Sequence, residues 1–136
     1  MKKISYLLVL IVAVFAMTGC NEKKTFEALG GEWNVIAVGD MEVPDSVGAF
    51  IGFDLTENVV YGSTGCNQFS GVLPAAVNPM VPMFGTMGST RRMCRDMAVE
   101  EALLSAFGQV VDFRVDGDEL HLLDSSCNKI VFLHKR

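Results

Sequence analysis

Cys20 is the residue with the clearest chemistry in this chain. It follows two lysines, an apolar run from Ile4 to Ala16 and then Met17-Thr18-Gly19, so small residues directly precede the thiol. The apolar run is shorter than the roughly 18 to 20 residues that span a bilayer. A cationic start, a short apolar segment and a small-residue cleavage site predict a signal peptide over residues 1–19, with Cys20 beginning the mature chain.

The small residues before Cys20 resemble the bacterial lipobox. That resemblance implies a thioether-linked diacylglycerol on Cys20 together with N-acylation, and two or three acyl chains anchor a protein far better than one. The next residue is Asn21, not the Asp that retains lipoproteins in the inner membrane under the enteric sorting rule. We therefore expect a lipid-anchored protein of the bacterial cell envelope, held at the outer membrane.

The other cysteines and the histidines are candidates for redox or metal chemistry. Cys66, Cys94 and Cys127 would lie in an oxidising compartment, where one pair is normally bridged and the odd thiol is left over. The absence of any CxxC pair argues against a thioredoxin-type motif. With only His121 and His134 available, a zinc site is not expected, and His121 alternates with leucines on a strand, which favours solvent exposure.

Five methionines lie between residues 80 and 97, and thioethers are ligands that select Cu(I). Methionine also fills irregular cores and adaptable apolar surfaces, and no histidine lies nearby, so the sequence favours packing over copper. Copper handling is kept as the least favoured alternative, and no metal or other cofactor is predicted. The residues are Met80, Met83, Met87, Met93 and Met97.

No arrangement of side chains in the sequence indicates catalysis. The serines lack a G-x-S-x-G elbow, and neither histidine has an acidic partner recognisable from spacing. Glu100 and Glu101 face different sides of a predicted helix, while Asp116 and Asp118 flank a turn glycine. We therefore expect no catalytic residue and no enzyme activity.

Length and charge restrict the remaining classes. Cleavage before Cys20 leaves 117 of the 136 residues, enough for one domain, and removal of two lysines takes the formal charge from −5 to −7. Nucleic acid is not an expected partner, because its phosphates need a basic face. We predict a polar tether over residues 20–29 and a single domain over residues 30–136.

Short β-rich segments dominate that domain. Glu32–Val38 and Ile51–Leu55 have strand composition and alternation, with Trp33 as a core anchor, and Glu57-Asn58 predicts a turn into Val59–Tyr61. The prolines from Pro74 to Pro82 predict a loop.

The second half of the domain contains the one long helix expected. Asp96 is a good N-cap, and an apolar stripe follows over Met97–Val110. Asp116-Gly117-Asp118 then predicts a hairpin between strands at 113–115 and 120–123, and a last strand is expected over Asn128–His134.

Two internal segments carry a family resemblance. Gly62-Ser63-Thr64-Gly65-Cys66-Asn67-Gln68-Phe69-Ser70-Gly71 is followed by Gly88-Ser89-Thr90-Arg91-Arg92-Met93-Cys94 and then by a helix containing Glu100. This order resembles the META domain (HslJ-like) family of bacterial envelope proteins, over about Gly31 to Leu133.

The resemblance implies a mainly β, α+β fold: an antiparallel β-barrel-like sheet of lipocalin-like topology with one packed helix. It carries no established catalytic residues. It implies a structural Cys66–Cys94 disulfide, because Cys127 falls where the family more often has glycine or a polar residue, and Cys127 is then left over. The signature positions expected near any binding surface are Gly65, Asn67, Phe69, Gly71, Thr90 and Arg91.

Two roles for the signature residues stay open. Asn67 is expected to supply left-handed backbone geometry or to satisfy backbone groups, with ligand binding as the alternative. Arg91 is expected in a salt bridge or in solvent, with an anion clamp as the alternative.

The leading functional hypothesis is a membrane-anchored, non-enzymatic interaction or protective module in envelope stress or homeostasis, related to heat shock or secretion, with an envelope protein as partner. The alternative is a carrier of a small apolar ligand inside a barrel, with Pro74–Met87 as a lid. An interior filled by Trp33, Phe53, Phe69 and Phe107 would count against the carrier.

Overall fold

The structure, a computed structural model, describes residues 26–74 and 81–136. The predicted signal peptide, the predicted lipidation residue Cys20, most of the predicted tether and Met80 lie outside these residues. None of the helices in the described ranges is long and apolar enough to cross a membrane.

Antiparallel strands are the commonest regular element of the described chain. They are β1 (Gly31–Val38), β2 (Met41–Glu42), β3 (Phe50–Asp54), β4 (Val59–Ser63), β5 (Gln68–Val72), β6 (Met87–Ser89), β7 (Asp112–Asp116), β8 (Glu119–Leu123) and β9 (Lys129–Lys135). The α-helix, α1 (Ala98–Phe107), lies between β6 and β7, and short 3-10 turns cover Phe26–Leu29 and Asp45–Val47.

The strands form one sheet in the order β6-β5-β4-β3-β1-β9-β8-β7, with the short β2 paired to β1. All the pairings are antiparallel, and the first and last strands meet at the centre of the sheet. Within the residues that the structure describes, the mainly β fold with one packed helix is therefore confirmed. The expected barrel is not closed, because β6 and β7 remain separate edges joined in sequence by α1.

The central strand β1 follows the predicted alternation. Trp33, Val35 and Val38 are buried, and the Trp33 indole N–H donates to the Leu29 carbonyl at 2.9 Å. Ile36 lies on the outer face, 41% exposed, and a register shift against β9 between Val35 and Ala37 then interrupts the alternation, so that Val38 is buried in place of Ala37. β1 thus ties the 3-10 turn at the start of the described chain to the core.

The helix α1 is shorter than the predicted Met97–Val110. Met97, not the predicted Asp96, is the N-cap residue, and the Asp96 carboxylate one position earlier accepts the Ala98 N–H at 2.9 Å. Beyond Phe107 the N–H of Gln109 bonds to the Ala106 carbonyl, three residues back, and the turn tightens out of the α-helix. Val110 then leaves the helix to accept the Met83 N–H.

The core lies between the sheet and the buried stripe of α1. Aromatic rings fill its centre: Phe69 and Phe84 both contact Phe107, with ring centroids 5.0 and 4.9 Å apart. The predicted hairpin at Asp116-Gly117-Asp118 joins β7 to β8, as expected. Strands β2, β5 and β6 were not anticipated, because Gly71 and Gly88 weaken the strand pattern of β5 and β6.

Candidate functional site

The turn between β4 and β5 places the first signature segment. Gly65 has φ +92°, and a β-carbon there would lie 2.4 Å from Val47 Cγ1, so only glycine fits. Asn67 follows on the same turn but lacks positive φ, since among described non-glycine residues only Asn58 and Cys127 have it. The left-handed role considered for Asn67 is therefore wrong.

The Asn67 side chain, only 3% exposed, instead binds across the turn to the second signature segment. Its Oδ1 accepts the Arg92 N–H at 2.6 Å and the Thr90 hydroxyl at 2.8 Å. Its Nδ2 donates to the Arg92 carbonyl at 2.9 Å and to Glu100 Oε1 at 2.7 Å. An amide side chain offers two donors and one oxygen, and all are used here within the protein.

Thr64 and Glu100 complete this buried polar cluster. Glu100 lies in the first turn of α1 at 7% exposure, and Oε1 also accepts the Thr64 hydroxyl at 2.9 Å. The Thr64 oxygen in turn accepts the N–H of Asn67 at 3.0 Å and that of Cys66 at 3.3 Å. A buried carboxylate is costly without hydrogen-bond donors, and this cluster supplies two.

Thr90 connects the cluster to the edge of the sheet. Its hydroxyl accepts the Gln68 N–H at 3.0 Å, and its own N–H donates to the Gln68 carbonyl at 2.9 Å. Thr90 therefore continues the β5–β6 pairing beyond β6 and fixes where the following segment leaves the sheet.

The predicted disulfide between Cys66 and Cys94 is confirmed, and it links the same two segments across 28 positions of sequence. Met97 packs beside it, with Sδ 3.8 Å from Cys66 Sγ, and accepts the Cys94 N–H at 3.4 Å. None of the cysteines in the described ranges is free, so the expectation that Cys127 is a leftover thiol is not met.

The Asn67 side chain and the Cys66–Cys94 disulfide together are called the clamp, because they join the two signature segments. Residues 91–96, called the arginine loop, are held by it. Arg91, Arg92 and Arg95 are exposed, and none forms an ion pair with another described residue. Met93 lies among them with 87% of its surface exposed. Arg91 is exposed, which agrees with the solvated position expected for it, and a salt bridge of Arg91 is absent from the described residues; the alternative of an anion clamp is not tested.

The comparisons with known proteins agree with the family resemblance of the two signature segments. The profile of the META domain matches residues 24–136, most of the chain. The chain belongs to the META domain family. Two NMR structures are similar to it, each at 18% sequence identity. One has a TM-score of 0.61 and covers 82% of this chain and 95% of its own. The other, a protein from Burkholderia xenovorans, has a TM-score of 0.60 and covers 88% and 97%. No curated protein matches significantly.

Two signature positions of this META domain serve packing. Phe69 is 3% exposed with its ring against Phe107, and Gly71 lies against Met87, whose Sδ would be 2.2 Å from an added β-carbon. Of the predicted site residues, Gly65, Thr90 and Arg91 are exposed, whereas Asn67 is buried. The motif thus combines core residues with residues that fix one loop.

Glu100 is the site residue whose role the sequence argument missed. Its partners lie 33 and 36 positions away, so spacing alone cannot reveal them. One signal was available, since Glu100, Leu103 and Phe107 share a helical stripe whose other members are buried. A carboxylate on an apolar stripe needs buried partners.

The methionines of the META domain do not gather into a soft-metal site in the described ranges. Met83 is buried at 2% exposure and Met87 packs against the core, whereas Met93 points into solvent. Groups of three or more His, Cys, Asp or Glu side chains able to hold a metal are also absent from the described residues.

His121, expected in solvent, is only 13% exposed on the outer side of β8. Arg114 and Phe132 are its cross-strand neighbours, and the Phe132 ring lies 5.4 Å from the imidazole. Desolvation, with the charge of Lys129, lowers the pKa of His121 below its usual 6.5, and Glu119 opposes this only partly. The expectation failed because neighbouring long side chains cover the ring.

Proposed function

We propose that this protein is a membrane-anchored META-domain lipoprotein that acts as a non-enzymatic interaction or protective module in the bacterial envelope. One observation carries the proposal: the buried signature side chains use their hydrogen bonds to hold an exposed loop in place. Asn67 fixes both backbone groups of Arg92, and the disulfide fixes Cys94. The residues of the family signature then serve to fix an exposed loop that a partner can bind.

The same geometry supports the absence of catalysis. A general base or nucleophile must reach a substrate, and catalytic groups keep hydrogen-bonding capacity for it. Glu100 is buried and receives hydrogen bonds from Thr64 and Asn67, and both signature cysteines are joined. The most chemically capable groups in the cluster are therefore used to stabilise the fold.

The envelope location rests on the lipobox at Cys20, and the role in stress, heat shock or secretion rests on the family. Outer-membrane attachment follows from Asn21 under the enteric sorting rule. An anchored domain with a fixed, exposed loop suits the binding of another envelope protein, because a preorganised surface loses little conformational entropy on association.

The carrier alternative is disfavoured by the interior. Trp33, Phe53, Phe69 and Phe107 are each at most 3% exposed, and they occupy the space that a ligand in a barrel would need. The depression beside the arginine loop is an open groove of about 520 Å³. It is lined by residues of β3 to β6, including Phe50, Tyr61 and Gln68.

The proposal is tested on the full-length chain expressed in a bacterial envelope. Native mass spectrometry of the extracted protein should show a lipidated chain with no additional bound molecule, and formaldehyde crosslinking of intact cells should give a discrete protein adduct. Asn67→Leu should lose that adduct, and Asn34→Leu, at a half-buried asparagine of β1, should retain it. An organic mass released on denaturation would instead support the carrier, and absence of any adduct would reject the interaction module.

A further inference from the structure

The arginine loop is an unusual concentration of positive charge in an acidic protein. The chain carries 16 Asp and Glu against 11 Lys and Arg, yet three arginines fall within the five residues from 91 to 95. The one carboxylate of the loop, Asp96, accepts the Ala98 N–H at the start of α1. The guanidinium groups are therefore available to a partner.

The loop is also held in one conformation from several sides. Thr90 fixes its entry, Asn67 binds both backbone groups of Arg92, and the disulfide holds Cys94. A loop fixed before binding pays little ordering entropy when it docks. Fixed guanidinium groups also favour paired hydrogen bonds to carboxylates, which require a defined orientation of the planar fork.

The composition of the loop favours a protein surface over a bilayer. Arginine and methionine are enriched at the cores of protein interfaces, whereas lysine is depleted there. The loop contains arginine but no lysine, and Met93 is 87% exposed between Arg92 and Arg95. Attraction to anionic lipid would serve equally well with lysine and would need no clamp.

The position of the loop also favours a protein partner over a bilayer. Gly30, near the start of the described chain, lies against Leu55 at the turn between β3 and β4. The clamp binds the turn at the other end of β4, a strand of five residues that spans roughly 17 Å. The loop thus lies at the opposite end of β4 from the segment that leads to Cys20 and its proposed membrane anchor.

We propose that the arginine loop is the docking surface for a carboxylate-rich face of a protein partner, with Arg91, Arg92 and Arg95 pairing to carboxylates around Met93. This inference rests on the proposed function and names the partner's chemistry. It assigns the recognition to the exposed guanidinium groups, while the buried cluster only positions them.

The test measures binding of fluorescein-labelled 20-residue poly-L-glutamate to the detergent-extracted full-length protein by fluorescence anisotropy. The loop variant is Arg91→Gln/Arg92→Gln/Arg95→Gln. The control is Lys129→Gln/Lys135→Gln/Arg136→Gln, which removes the same charge from exposed positions outside the loop, together with the Arg136–Glu32 ion pair. We expect at least a tenfold loss of affinity in the loop variant and less than a twofold loss in the control, with unchanged thermal unfolding in the loop variant.

Competition distinguishes the source of the negative charge. Dihexanoylphosphatidylglycerol, kept below its micelle concentration, should displace the polyglutamate no better than chloride of equal ionic strength. Preferential displacement by this lipid would overturn the proposal in favour of a membrane surface. Equal losses in the two variants, or no polyglutamate binding by the unmodified protein, would also overturn it. A protein adduct that persists in the loop variant would reject the loop assignment while leaving the interaction module in place.

Discussion

Two groups of polar side chains lie largely out of water in this protein, and they differ in whether their polar atoms have hydrogen-bond partners. In the Asn67 cluster, each side chain has hydrogen-bond partners supplied by the β4–β5 turn, the arginine loop and α1. On the outer side of β7 and β8, Arg114 Nε and His121 Nδ1 are buried without a hydrogen-bond partner. Burial of polar atoms stabilises a fold only where partners are provided, so the first group should define the structure and the second should weaken it.

The largest effect is expected at Asn67. Replacement by leucine leaves Glu100 without one donor and both backbone groups of Arg92 without partners, at about 1 to 3 kcal/mol for each group. We expect Asn67→Leu to lower the free energy of unfolding by about 3 to 5 kcal/mol in urea titration. Asn34→Leu should change it by less than about 0.5 kcal/mol. Equal effects at Asn67 and Asn34 would show that the hydrogen bonds of the Asn67 cluster do not stabilise the fold.

The disulfide should contribute almost as much, through a different mechanism. Closure of a 28-residue separation restricts the unfolded chain, which corresponds to roughly 3 to 4 kcal/mol. Cys66→Ala/Cys94→Ala should lower the urea midpoint accordingly. Because the Asn67 cluster stays intact, the double variant should still fold, and a chain that fails to fold would show that the cluster depends on the covalent link.

His121 should make the protein sensitive to acid. Its pKa is lowered in the folded state, first by desolvation, so the unfolded chain binds the proton more readily. Its stabilising contribution is complete above the unfolded pKa of about 6.5 and is lost as pH falls toward the folded pKa, with a slope of at most about 1.4 kcal/mol per pH unit.

His121→Phe should flatten this dependence between pH 7 and pH 5 in thermal unfolding, and the exposed residue change His134→Phe should leave it intact. Arg114, Lys129 and Glu119 face the imidazole and are unchanged in both variants. An identical pH profile in wild type and His121→Phe would assign the acid sensitivity to other groups.

The smallest effect on stability is expected in the arginine loop. Arg91→Gln/Arg92→Gln/Arg95→Gln removes three exposed side chains that make no ion pair within the described residues, so the free energy of unfolding should change by less than about 0.5 kcal/mol. Differential scanning calorimetry measures this directly. A large loss of unfolding free energy would indicate that the arginine side chains stabilise the fold and are not only exposed for a partner.

The sequence predicted what local patterns determine. Alternation and turn chemistry located β1, the β7–β8 hairpin and the core of α1, and the motif order identified the family and the Cys66–Cys94 link. Long-range placement was out of reach, because Glu100 meets partners more than 30 residues away and His121 is covered by side chains of other strands. Gly71, which allows the close approach of Met87, and Gly88 also hid β5 and β6 from the strand pattern.

The pairing of β1 with β9 has a consequence for the order of events during synthesis. Trp33 pairs with Ile51 on one side and with Lys135 on the other, so the β9 side of β1 stays unpaired until nearly the whole chain is available. Contacts of such high sequence separation form late and slowly. A chain still emerging from a ribosome or passing through a translocation channel would therefore remain open, and deletion of the last strand should remove a central strand, with effects far beyond the C-terminus.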